Sequence, residues 1–179
     1  ALYLKYKEDF VSHLRGMFAI AIYDNGKLML FRDRLGKKPL FYMQNEKSFV
    51  FASEIKALKP FLKHTEMDKD AMLSYLGYLA PTSPLTFYRG IKKLAPSEYL
   101  IFHNNKTTIK NYFDLIDTQP CIITSEEDAI SKLSEKLEES ISLRLKSDVE
   151  MASLLSGGID SATINYYAKK LGKKVPTYT

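Results

Sequence analysis

Residues 16–32 read GMFAIAIYDNGKLMLFR. Two apolar runs, 16–24 and 27–32, flank Asn25-Gly26, a pair that takes the positive φ angles of a two-residue hairpin turn at little cost. The stretch predicts an antiparallel hairpin, and the pattern repeats downstream. Residues 40–44 and 49–52 make a second pair around Asn45-Glu46-Lys47-Ser48, and 98–102 pairs with 107–112 across His103-Asn104-Asn105-Lys106. Short helices fall between: Ser53 is placed to cap 54–58 and Asp68 to cap 69–78, since their side-chain oxygens accept from the free amides of a first turn. The Pro-bearing stretch 80–85 reads as loop. Upstream of the hairpin, 1–14 reads as helix, with Leu2, Phe10, Val11 and Leu14 as its apolar positions.

The pattern changes after residue 113. Asp117-Thr118-Gln119-Pro120 breaks periodicity, and 117–123 reads as a connector between two domains, 1–116 and 124–179. Thr124-Ser125-Glu126-Glu127 is a capping-box sequence, followed by Ile130, Leu133, Leu137, Ile141 and Leu145 in one apolar stripe. Acids at 126–128 and bases at Arg144 and Lys146 sit at the ends of this helix that the macrodipole favours. An apolar strand over 151–155, a glycine loop, a helix over about 161–171 stopped at Gly172 and a strand from Val175 then spell a βαβ unit. Its right-handed crossover predicts a parallel sheet. The expected fold class is an α+β antiparallel sheet followed by the start of an α/β parallel sheet.

Composition narrows the function. The 179 residues are 45% hydrophobic and 26% charged, enough for a packed core and against disorder, while net +5 permits nucleic acid without arguing for it. The single Cys121 cannot form an intrachain disulfide, and the scattered His13, His64 and His103 offer no zinc ligand set. The longest apolar run, 17–23, is far short of the roughly 20 residues that cross a bilayer. These features predict a cytoplasmic protein. The chain opens at Ala1 on an apparent mid-helix and stops at Thr179 in a β-prone stretch, so it reads as a fragment.

Chemistry concentrates in Ser156-Gly157-Gly158-Ile159-Asp160-Ser161, which joins a strand to a helix N-terminus, where free amides and the dipole favour an anion. Gly157 and Gly158 let a phosphate approach the backbone, and Ser156 and Ser161 add hydroxyls. Asp160 would repel phosphate oxygens unless a hard cation such as Mg²⁺ lies between. A Walker loop is not written here, because its Gly-Lys-Ser/Thr ending is missing. Alone, Ser-Gly-Gly suits an ordinary turn capped by Asp160 or Ser161; strand, two glycines, Asp and Ser in this order favour phosphate.

This loop resembles the pyrophosphatase loop of the ATP pyrophosphatase superfamily. The resemblance implies ATP and Mg as cofactors, with Ser156, Gly157, Gly158 and Ser161 on pyrophosphate, Asp160 on Mg²⁺ and the Leu154 backbone near adenine. The run from Arg32 through Asp33, Gly36 and Pro39 to Tyr42, with Gly16-Met17-Phe18-Ala19 before it and Ala52-Ser53-Glu54-Ile55-Lys56-Ala57-Leu58 after it, looks like the C-terminal half of a class II glutamine amidotransferase domain. Gly90-Ile91-Lys92-Lys93-Leu94-Ala95-Pro96 and Ser147-Asp148-Val149 then resemble glutamine-hydrolysing asparagine synthetases. The implied fold is an N-terminal-nucleophile glutaminase remnant followed by the start of an adenylating domain.

The implied reaction of an intact enzyme is ATP-dependent amidation of aspartate through β-aspartyl-AMP, with ammonia from glutamine. Relatives of the same architecture that form β-lactams or amidate sugars, and RNA-modifying ATP pyrophosphatases, are the alternatives. Glutamine, aspartate and ATP are the implied partners, with no nucleic acid, no membrane, and homodimerisation left open. Residue 1 is Ala where the family carries its cysteine nucleophile, so no catalytic glutaminase residue is expected in this chain. Read without the family, Arg32 and Asp33 are a strand-end ion pair, with Gly36 and Pro39 shaping the turn, and the lysine pairs 37–38, 92–93, 169–170 and 173–174 are solvated faces.

Overall fold

The computed structural model describes residues 1–46 and 48–179. They form two compact units, 1–118 and 119–179. The first opens with α1 (Leu2–Tyr6) and a 3-10 segment, Lys7–His13. The continuous helix expected over 1–14 is therefore broken at Lys7, whose φ is 50°. The break serves packing: Phe10 meets Phe31 edge-on at 4.9 Å and Tyr3 at 5.9 Å, and Phe10 and Val11 are both buried.

Strands β1 (Ala19–Asp24) and β2 (Lys27–Arg32) form the expected hairpin, with Asn25 at φ 47° and Gly26 at 79°. β3 (Phe41–Gln44) and β4 (Phe49–Ala52) pair as read, although Lys47 of their turn lies outside the described residues. Next come α2 (Ile55–Leu58), α3 (Lys69–Tyr78) and β5 (Lys92–Lys93), which joins β3. Ser53 does not cap α2, whose N-cap is Glu54 with no side-chain bond. Asp68 caps α3 as expected, accepting from the Asp70 and Ala71 amides at 3.0 Å each. β6 (Glu98–His103) and β7 (Lys106–Asn111) turn through only Asn104-Asn105, both at positive φ, so the hairpin loop is two residues rather than four.

Sheet order is β1-β2-β6-β7 in one antiparallel sheet and β4-β3-β5 in the other. Its inner position explains why β2 is an unbroken apolar run rather than an alternating one: Met29 and Phe31 face Phe10, Val11 and Tyr99, while Leu30 faces Leu40, Tyr42, Leu94 and Leu100. This unit is an α+β antiparallel fold.

In the second unit α4 (Glu126–Arg144) is capped by Ser125, one residue later than read, because the Ser125 hydroxyl accepts the Asp128 amide at 3.2 Å. Asp128 returns the favour to the Thr124 N–H at 3.0 Å. Only part of the α4 stripe is covered: Ile141 is buried, whereas Ile130 and Leu133 are exposed. The strands reduce to β8 (Ser153–Leu154) and, after α5 (Ile159–Lys170), β9 (Thr177–Tyr178). They pair in parallel, as the βαβ order predicts. The longer strand expected over 151–155 is not formed, and Leu154 is 79% exposed on this two-stranded ribbon. Among the described residues no helix is long and apolar enough to cross a membrane.

Candidate functional site

The glycine loop lies between β8 and α5, and backbone bonds fix both sides of it. The Leu155 amide donates to the Tyr178 carbonyl at 2.8 Å, and the first helical bond runs from the Ala162 amide to the Gly158 carbonyl at 3.1 Å. The amides of Ile159, Asp160 and Ser161 thus precede the first helical acceptor pairing and point out of the helix end. Gly157 holds φ +80°, and a β-carbon there would meet nothing within 4 Å, so conformation rather than space demands glycine. Gly158 is the N-cap and supplies no side-chain bond to the first turn. The Ser156 and Ser161 hydroxyls stand 3.2 Å apart across the loop, and Ser161 Oγ donates to the Gly158 carbonyl at 3.0 Å. Five of the six expected residues, Ser156, Gly157, Gly158, Asp160 and Ser161, therefore form one contiguous rim, and Leu154 lies just before it on β8.

Neither Asp160 nor Ser161 caps α5; Asp160 lies exposed in the first turn, where the helix dipole favours a carboxylate. Among the described residues no cluster of three or more acidic, His or Cys side chains could hold a metal by itself. Mg²⁺ is commonly held by one or two carboxylates with phosphate and water oxygens completing its shell, so a single carboxylate here does not conflict with the expected metal. Sequence reading missed Asn165. Its side-chain amide donates to the Ser161 carbonyl at 2.8 Å and to Ser153 Oγ at 3.1 Å, bracing helix against strand. Its four-residue spacing from Ser161 was the available signal.

In the first unit Arg32 and Asp33 are buried but do not form the expected ion pair. Arg32 donates Nε to the Lys38 carbonyl at 2.9 Å, Nη2 to Gly36 at 2.6 Å and Nη1 to Leu94. Asp33 Oδ1 accepts the Leu35 and Lys37 amides, and Oδ2 accepts those of Phe18 and Lys38, at 2.9–3.3 Å. Burial pushes the Asp33 carboxyl up, but these four amide bonds outweigh it and hold it below the usual carboxylate range. Gly36 closes the arrangement at φ +61°, where a β-carbon would lie 2.9 Å from Pro96 Cγ and 3.0 Å from Arg32 Cζ.

Residues 1–113 match the family model described as glutamine amidotransferase domain. The chain belongs to that family. Residues 132–179 match the asparagine synthase family model. Over 182 residues the chain is 34% identical to the Bacillus subtilis (strain 168) protein named glutamine-hydrolyzing asparagine synthetase 1, a match covering 100% of this chain and 28% of the relative. It is 35% identical over 169 residues to amidase chry2 of Gibberella zeae, covering 92% of this chain and 25% of that protein. The chain therefore spans about a quarter of the length of these curated relatives. A solved structure titled glutamine phosphoribosylpyrophosphate amidotransferase from B. subtilis, complexed with ADP and GMP, aligns with 95% of this chain and 33% of its own at 20% identity and a TM-score of 0.37.

Within this amidotransferase-family chain, the other polar candidates have local partners. His13 stacks on Tyr6 with centroids 4.0 Å apart, and His103 Nδ1 lies 3.1 Å from the Gly26 carbonyl. Cys121 is exposed, its Sγ 4.0 Å from the Ile122 carbonyl. Lys170 is not merely solvated, since it pairs with Glu138 at 2.6 Å.

Proposed function

We propose that the chain belongs to a glutamine-hydrolysing asparagine synthetase, with 1–116 the C-terminal part of its class II amidotransferase domain, 117–123 a connector and 124–179 the opening of its ATP pyrophosphatase-type synthetase domain. The observation that carries this is the α5 N-terminus: Asp160 lies in its first turn, exposed and without a capping bond, beside three outward amides and the paired Ser156 and Ser161 hydroxyls. In the proposed reaction an aspartate β-carboxylate oxygen bonds to the α-phosphorus of ATP and the bond to the bridging oxygen breaks, releasing pyrophosphate. Ammonia from glutamine then attacks the acyl carbon and AMP leaves. The loop amides and hydroxyls of Ser156, Gly157, Gly158 and Ser161 stabilise charge on the departing pyrophosphate, and the Leu154 backbone borders the adenine. Asp160 would hold Mg²⁺, which neutralises charge on the leaving oxygens when bound. The partners are small molecules, the setting cytoplasmic, and homodimerisation is compatible with the reading.

The match to a relative named amidase supports a second reading in which the same activation serves another acceptor carboxylate. Titration of the chain with magnesium pyrophosphate, read on the Gly157, Gly158 and Ser161 amide resonances, tests the common step. Saturable shifts that Asp160→Asn weakens by at least about tenfold are expected. No shift, or equal binding by Asp160→Asn, would remove the pyrophosphate and metal assignments.

A further inference from the structure

A cavity wholly within the first unit, independent of the glycine loop, has a different chemistry. It is an open slot of about 240 Å³. Register builds its floor: Lys93 of β5 lies opposite Phe41 of β3, so both project to one side of the second sheet. Ile55, the first residue of α2, and Pro81, Leu85 and Phe87 complete its lining. The 81–87 stretch is tied down. The Lys93 amide donates to the Pro84 carbonyl at 2.9 Å, and buried Thr86 uses its hydroxyl to donate to the Ile91 carbonyl at 2.8 Å while accepting the Tyr88 amide at 3.2 Å. Thr86 therefore has its polar capacity occupied, and the lining is apolar except for one ammonium.

That ammonium has no hydrogen bond or ion pair to its side chain among the described residues. Burial, and the like charge of Arg32 behind it, hold it below the usual lysine range. Arg32 donates to three carbonyls and has the carboxylates of Asp33 and Glu98 near it, whereas no carboxylate is paired with Lys93 among the described residues. A half-buried cation at the end of an apolar slot lacks one thing, an anion that brings its own apolar body. A dry cavity of about 150 Å³ takes benzene, so this one has room for a ring of that size plus a carboxylate.

We propose that this cavity binds a small monocarboxylate with a compact apolar body, its carboxylate paired with Lys93 and its body held between Phe41, Leu85 and Phe87. The assignment goes beyond the synthetase reading and does not rest on it.

Titration of the 179-residue chain with sodium benzoate, read on the methyl and amide resonances of Leu85, Thr86 and Ile55, tests it. Saturable shifts are expected there, with benzyl alcohol, the neutral counterpart, binding about tenfold more weakly. Lys93→Met should weaken benzoate to the level of the alcohol, while Lys93→Arg, which keeps the charge, retains it; an unchanged spectrum elsewhere establishes that each variant is folded. Absence of saturable shifts, equal affinity for acid and alcohol, or full benzoate binding by a folded Lys93→Met would each overturn the proposal.

Discussion

The Tyr112 hydroxyl donates to the Arg32 carbonyl at 2.7 Å, joining residues 80 positions apart. It ties the end of the four-stranded sheet to the strand whose next residue, Asp33, gathers four amides. Burial first, with Asp33 nearby adding to it and Arg34 opposing, pushes the Tyr112 phenol up to about 12. A phenol raised in the folded state contributes stability fully present below its unfolded value of about 10. We expect thermal stability of the first unit to fall as pH rises from about 10 to about 12, and Tyr112→Phe to flatten that part of the profile. Tyr3, whose phenol burial and the Asp24 carboxylate also push up to about 12, should keep part of the limb, so an unchanged limb in Tyr112→Phe would assign it to Tyr3.

Asp33→Asn keeps one acceptor oxygen but turns an NH₂ group toward two of the amides that Asp33 now satisfies. Two part-buried donors lose their acceptor, so urea unfolding should show a loss of about 2 kcal/mol. The wild-type carboxylate, held below its ordinary value, contributes stability present above pH about 4 and lost as pH falls further. The acid limb of the profile should shrink in Asp33→Asn.

The position of the α4 cap is testable by two substitutions. Ser125→Ala removes the acceptor for the Asp128 amide and should cost about 1 kcal/mol of second-unit stability. Thr124→Ala loses only a hydroxyl bond of 3.3 Å while keeping its amide on Asp128, and should cost no more than about 0.5 kcal/mol. Thermal melts giving the reverse order would return the cap to Thr124.

The 179-residue chain should release no ammonia from glutamine above background. Its one thiol, Cys121, is exposed in the stretch between the two units' regular elements, its Sγ against the Ile122 carbonyl, and not at residue 1. Diazo-oxo-norleucine should leave it unlabelled in intact-mass measurements. Labelling at Cys121 together with turnover would contradict this.

The sequence alone determined features whose causes are local. Asn25-Gly26 sets its hairpin because the turn's φ signs are a property of those two residues, and Asp68 caps α3 because the amides it serves lie two and three positions away. The order of glycines, aspartate and serines in 156–161 is likewise readable without a fold, and so is the parallel sense of β8 and β9.

Tertiary structure alone decided what depends on distant partners. Arg32 and Asp33 read as a pair because they are neighbours, yet the Leu94 carbonyl that Arg32 binds is 62 residues away, and no local pattern encodes it. The insertion of β6-β7 beside β2 is equally non-local, as is the break at Lys7 that brings Phe10 to Phe31. The Lys93 cavity is invisible in sequence because Phe41 lies about 40 residues or more before Lys93 and the 81–87 stretch, and meets Lys93 only through strand register. Local rules fix φ, ψ and capping; which side chains share a buried volume is set by how whole sheets pack.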